Sequence, residues 1–146
     1  MLTTQWHQGA PFKLRFPIST SWTIWAPPGC VTIAVAQIMN YHQFPRNYCD
    51  WSLVNQYNPK KLLEENDQDV LDEVALLSKK VAGGCRVECN FFGSGETFST
   101  PAKAKRFLRD MGYTGTEKHL GYDADVIKTT LNKGCPVFIG ALSSSN

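Results

Sequence analysis

Apolar residues recur at helical spacing in four stretches of this chain. Val31, Ala34, Val35, Ile38 and Met39 stand at i, i+3, i+4, i+7 and i+8 and predict a helix that begins at or just after Cys30. Pro45 ends it, because proline cannot continue the hydrogen-bond ladder and disfavours helix at the residue before it. Val70, Val74, Leu77 and Val81 predict a second helix, from near Asn66-Asp67 to a left-handed glycine stop at Gly83-Gly84. Thr100 as N-cap and Pro101 in the first turn start a third, which carries Ala104, Phe107, Leu108 and Met111 and closes at Gly112. Asp123 caps a fourth, with Val126, Ile127, Thr130 and Leu131, ending at Gly134. Cys135 to Gly140 then reads as a short buried strand, with Pro136 at its beginning where a missing donor is tolerated. Ahead of the first helix, Trp6, Phe12, Phe16, Trp22 and Trp25 are interleaved with Pro11 and Pro17. This predicts an extended strap packed on a core, with a peptide-binding surface as the second reading. Residues 46–59 read as a loop. Helices first and a strand last suit an α+β fold whose sheet begins late.

Composition narrows the classes. The 146 residues make one domain, long enough to bury a core, and 42% apolar with 19% charged is ordinary for a folded soluble protein. A net charge of +2 gives no case for nucleic acid. The basic cluster Lys103, Lys105, Arg106 and Arg109 falls on a predicted helix and reads as a solvated face. No apolar run approaches the roughly 20 residues of a membrane span. The first residues have neither a basic n-region nor an apolar core, so they do not read as a signal peptide.

Five cysteines give an odd count, which in an exported protein leaves at least one thiol free. Cys85 and Cys89 lack zinc-knuckle spacing, so no metal is expected. On an extended strand, residues four apart lie roughly 13 Å from one another, too far for a disulfide without a tight turn. They read as small core or strand residues.

Cys30 is the candidate for chemistry. It stands where the irregular Ala26-Pro27-Pro28-Gly29 gives way to the first helix, and unpaired N–H groups at a helix start favour thiolate over thiol. The plainer reading of such a residue is a buried apolar cysteine at the helix start.

Around it lies an ordered set of short motifs: Trp6-His7-Gln8-Gly9-Ala10-Pro11-Phe12, then Gly29-Cys30-Val31, then Ala36-Gln37-Ile38-Met39-Asn40-Tyr41-His42-Gln43-Phe44-Pro45, then Tyr48-Cys49-Asp50-Trp51. The combination resembles the streptopain family of papain-like cysteine peptidases; Thr32-Ile33 stands where the family usually has Ala-Thr or a similar pair. The resemblance implies a papain-like α+β fold, protein or peptide substrates, secretion, and no cofactor. It implies Cys30 as nucleophile and Gln8 as a donor to the oxyanion, with the Cys30 N–H supplying the second bond. It also brings Ser94 and Thr97, in the Gly93–Thr97 loop, forward as substrate-binding residues; an ordinary turn is the alternative there.

The resemblance further implies a catalytic histidine in a Gly-His-Ala motif on the strand after Pro136-Val137. His42 lies 12 residues beyond Cys30 on one helix, roughly 18 Å away, and cannot reach the thiol. His7 and His119 match no catalytic motif. The expectation is therefore a single papain-like peptidase domain over residues 1–146, incomplete, with the helical half and the first strand or strands of the sheet, stopping short of the catalytic histidine. The expected activity is endoproteolysis, with the isolated chain inactive. A non-catalytic binding protein that docks on a full-length peptidase or another partner is the alternative. In a further reading another polypeptide supplies the missing strands by pairing with the Pro136–Gly140 edge.

Overall fold

The computed structural model describes residues 4–16, 26–89 and 97–140. Helix α1 spans Cys30–His42, α2 Trp51–Val54, α3 Gln68–Gly84, α4 Pro101–Asp110 and α5 Ala124–Asn132. A 3-10 turn occupies Leu63–Glu65. Strands β1 (Glu88–Cys89) and β2 (Thr97–Phe98) pair antiparallel, with Glu88 opposite Phe98 and Cys89 opposite Thr97. The described part is thus mainly helical, with one two-stranded antiparallel ladder. This is consistent with an incomplete α+β domain, and it carries less sheet than the sequence led us to expect.

The helix ends follow their chemistry. Thr100 accepts a hydrogen bond from the Lys103 N–H at 3.2 Å, and Asp123 accepts from Asp125 and Val126, each at 3.0 Å. Asp50 caps the short α2 in the same way, from Ser52 and Leu53. Helix α1 closes before Pro45. Gln43 adopts the left-handed conformation (φ 47°), and the Phe44 N–H reaches back to the Met39 carbonyl at 3.3 Å. A glutamine does there what glycine does at many helix ends.

Three expectations about helices and strands fail. Residues 46–59 are not all loop, because Asp50 caps the short helix α2 within them. Gly83 and Gly84 are not a left-handed stop: both lie within α3, and the positive φ falls on Arg86, at 48°. Gly84 is required instead by contact, since a β-carbon there would lie 2.2 Å from Cε2 of Phe107 on α4. Residues 135–140 form no strand. Among the described residues nothing pairs with them, and a strand exists only through its ladder partner. They range from half-buried to exposed, and Phe138 packs on the core.

The core lies between α1, α3 and α4. Val35, Met39, Val74, Leu77, Val81 and Phe107 are buried in it, and α2 adds Trp51 and Val54. Over its described part the N-terminal segment packs on the core as expected, with Phe12 1% exposed, 5.2 Å from Trp6 and edge-on to Tyr57 at 5.5 Å. It is not extended, however: its backbone coils into turns, the Lys13 N–H donating to the Gly9 carbonyl at 3.3 Å and the Leu14 N–H to the Pro11 carbonyl at 3.0 Å. Trp22 and Trp25 lie outside the described residues. Helix α5 buries none of its side chains; Val126, Ile127 and Thr130 are only half-buried and Leu131 is exposed. No helix among the described residues is long and apolar enough to cross a membrane.

Candidate active site

Cys30 is the first residue of α1, and its side chain is exposed. Its position is set by what precedes it. Gly29 has φ 87°, and a β-carbon there would lie 2.8 Å from the Thr97 hydroxyl of β2. Only glycine satisfies both the left-handed backbone and that close approach. Thr32 ties the first turn down by donating its hydroxyl to the Pro28 carbonyl at 2.5 Å. Gly29 has no side chain to offer the first-turn amides, so the N–H groups around Cys30 carry no side-chain cap.

In front of the thiol is a cavity of about 290 Å³ lined by Cys30, Ala34, Gln37, Ile38, Val137, Phe138 and Ile139. The α1 residues are at i, i+4, i+7 and i+8 and form one face of the helix. The opposite wall comes from the segment that precedes Gly140. The Gln37 side chain accepts a 2.8 Å bond from the Thr4 hydroxyl, which fastens the start of the strap to the same helix face.

Of the other described thiols, Cys49 and Cys85 are more buried than Cys30, and Cys135 shares its exposure. Burial pushes the Cys85 thiol up to about 12, and burial followed by the nearby Glu73 carboxylate pushes Cys49 up to about 12. Both are held as thiols at neutral pH. Cys135 is exposed, at the end of α5, with its sulfur 3.9 Å from the Lys133 carbonyl.

None of the chain's three histidines lines the cavity. His42 ends α1, the helix that Cys30 begins; it stands edge-on to Tyr41 and Tyr113, and desolvation lowers its pKa. The His7 Nδ1 accepts the Gly9 N–H at 2.9 Å, and its ring meets Phe12 edge-on. His119 Nε2 is 3.2 Å from the Glu117 carboxylate.

A sequence model of the peptidase C10 family matches residues 6–146. The chain belongs to the peptidase C10, or streptopain, family. No curated protein and no solved structure gave a significant match. Members of this family are cysteine peptidases, and their substrates are proteins.

As a peptidase C10 chain it brings some of the expected residues together. Cys30 faces the cavity, and Thr97 packs on the glycine beside it. Gln8 is an exposed residue of the strap, between Trp6 and Phe12, which both pack on the core. Ser94 lies outside the described residues. Sequence reasoning overlooked Gln37 and the wall Val137–Ile139. A signal for Gln37 was present, because position 37 shares a helix face with position 30. For the wall there was none, since it is made by packing across more than 100 residues. Among the described residues no three His, Cys, Asp or Glu side chains are grouped as a metal site would require.

Proposed function

We propose that Cys30 is the nucleophile of a cysteine endopeptidase site of papain-like design. The observation that carries the reading is an exposed cysteine at an uncapped helix N-terminus, opening on a cavity, in a chain of the peptidase C10 family. The Cys30 sulfur adds to the carbonyl carbon of the scissile peptide, forming the C–S bond, and the negative charge moves to oxygen. The Cys30 backbone N–H and the Gln8 amide donate to that oxygen. Collapse breaks the C–N bond and releases the amine, which takes up a proton. Water then hydrolyses the thioester and restores the thiol. Thr97, which packs against Gly29, and Ser94 from the same loop of the sequence are the substrate-binding residues of this reading.

The proton on the departing amine calls for an imidazole, and His7, His42 and His119 are engaged elsewhere. In this reading the imidazole belongs to polypeptide additional to these 146 residues, and the 146 residues alone do not turn over peptides. The same engagement of the three histidines favours a second reading, a binding protein that has kept the cleft without the catalysis.

The test is competitive labelling with iodoacetamide at about pH 6, followed by mass spectrometry of each cysteine. Cys30 should be modified ahead of the other four cysteines, the likewise exposed Cys135 included. Finding it among the slowest would sink the nucleophile assignment. Proximity of Gln8 is tested separately: in Gln8→Cys, a short bifunctional thiol reagent should bridge residues 8 and 30. Failure to bridge would remove Gln8 from the oxyanion site.

A further inference from the structure

A second, larger concavity of about 470 Å³ lies on α4, lined by Ala102, Lys105, Arg106, Arg109, Asp110 and Lys118. Four cations and one carboxylate share it, a local net charge of 4 − 1 = +3, against +2 for the whole chain. Lys118 arrives from the loop beyond Gly112, so the groove has two walls and is more than one face of a helix. The sequence suggested a uniformly solvated basic face, and the structure divides it. Lys103 bonds the Glu88 carboxylate and the Arg86 carbonyl. Lys105, Arg106, Arg109 and Lys118 have no carboxylate partner among the described residues. On the inner side of the same helix, Ala104, Phe107 and Leu108 are buried, which fixes the orientation of the outward cations.

The groove and the Cys30 cavity share no lining residue, but one contact brings their walls near each other. A β-carbon at Gly140 would lie 3.6 Å from Cγ of Pro101. Val137–Ile139, the far wall of the cavity, therefore leads directly to the first turn of α4. The next residue, Ala102, belongs to the basic groove.

From this we infer that the α4 groove binds an acidic peptide segment, and that this segment is part of the protein substrate lying in the Cys30 cavity. The second clause rests on the proposed peptidase site. Two guanidinium forks match carboxylates in bidentate fashion, and the ammonium groups of Lys105, from α4, and Lys118, from the loop, add attraction for the same chain. Asp110 repels acidic residues at its end of the groove, which gives the bound segment a direction. The cations are exposed, so the contribution is one of selection and encounter rate, and it is screened by salt.

The probes are a ten-residue Glu-rich peptide and its Gln counterpart, each fluorescein-labelled and each also made with a terminal chloroacetamide. Alkylation forms an S–C bond at Cys30 and releases chloride. We expect the acidic probe to alkylate Cys30 about tenfold faster than the Gln probe at low salt, from several contacts of the exposed-pair kind. The advantage should vanish in Arg106→Glu/Arg109→Glu, in Lys118→Glu and at about 0.5 M salt. Fluorescence anisotropy on Cys30→Ala should show the acidic peptide bound and the Gln peptide not. Equal binding of the two peptides, or no loss in the folded charge-reversed variants, would overturn the groove assignment while leaving Cys30 labelling by iodoacetamide intact. A Cys30 inert even to free chloroacetamide would defeat the peptidase reading instead, and anisotropy alone would then judge the groove. Tighter binding of an oligonucleotide or an anionic vesicle of matched charge would also overturn it.

Discussion

Two adjacent glycines in α3 should respond to alanine with opposite sign. At Gly84 a new β-carbon would lie 2.2, 2.3 and 2.7 Å from three ring atoms of Phe107, where about 3.5 Å is needed. That ring is 6% exposed, belongs to the core, and has Tyr48 at 6.3 Å, so it has little room to retreat. Overpacking of this kind costs about 1–3 kcal/mol. Replacing a helical glycine by alanine returns at most about 1 kcal/mol. Gly84→Ala should therefore destabilise by about 1–2 kcal/mol. Gly83 is exposed, is also helical, and nothing lies within 4 Å of the corresponding position. Gly83→Ala should stabilise by about 0.5–1 kcal/mol, since only backbone entropy changes. Thermal and urea unfolding followed by far-UV circular dichroism would read this as midpoints that move in opposite directions, by about 2–4 °C per kcal/mol in a chain of this size. Phe107→Leu in the Gly84→Ala background should recover part of the loss, a coupling that independent sites would not show. Equal stabilisation by the two alanines would refute the close α3–α4 contact.

Gly29→Ala combines a φ of 87° with a 2.8 Å approach to Thr97. It should cost about 2 kcal/mol or more and change the labelling rate of Cys30, measured by unfolding and by mass spectrometry. Stability should fall on the alkaline side. The Cys85 thiol rises from 9.0 to about 12 on folding, so above about pH 9 the unfolded chain releases its proton first. Stability is full below that pH and declines toward pH 12, and Cys49, raised in the same way, adds to the decline. Cys85→Ala should therefore make the slope in urea titrations shallower without abolishing it, and an unchanged slope would contradict the assignment. On a fluorogenic peptide the wild-type chain and Cys30→Ala should show equal, negligible rates. Activity abolished by the substitution would mean that one of the chain's own histidines serves Cys30, with His7 and His119 the next to replace.

The four longer helices were readable because each carries its own punctuation: Thr100, Asp123, Pro45 and the spacing of Val70 to Val81 act within one turn of the residues they control. The four-residue α2 and the two-residue strands were not, because elements that short contain no full period. Gly83-Gly84 misled, since a glycine demanded by a neighbouring ring looks the same in sequence as one demanded by a left-handed turn. The strand expected at 135–140 depended on a partner, and local pattern cannot supply one. Of the candidate site, the start of α1 at Cys30 was legible from the sequence; the contact of Thr97 with Gly29 was not. The cavity was not, because its second wall reaches Cys30 only through the docking of Phe138.

That cavity unites two parts of the chain with unequal obligations. The Cys30 sulfur rides on α1, whose opposite face is the centre of the hydrophobic core, so its coordinates are fixed by residues that tolerate little change. The facing wall is held by no ladder among the described residues and is rooted chiefly by one aromatic ring. Substitutions at Val137 and Ile139 can therefore recut the shape of the opening while the sulfur stays where it is. Sequence drift in such a protein would alter which side chains the opening admits long before it moved the thiol that faces them.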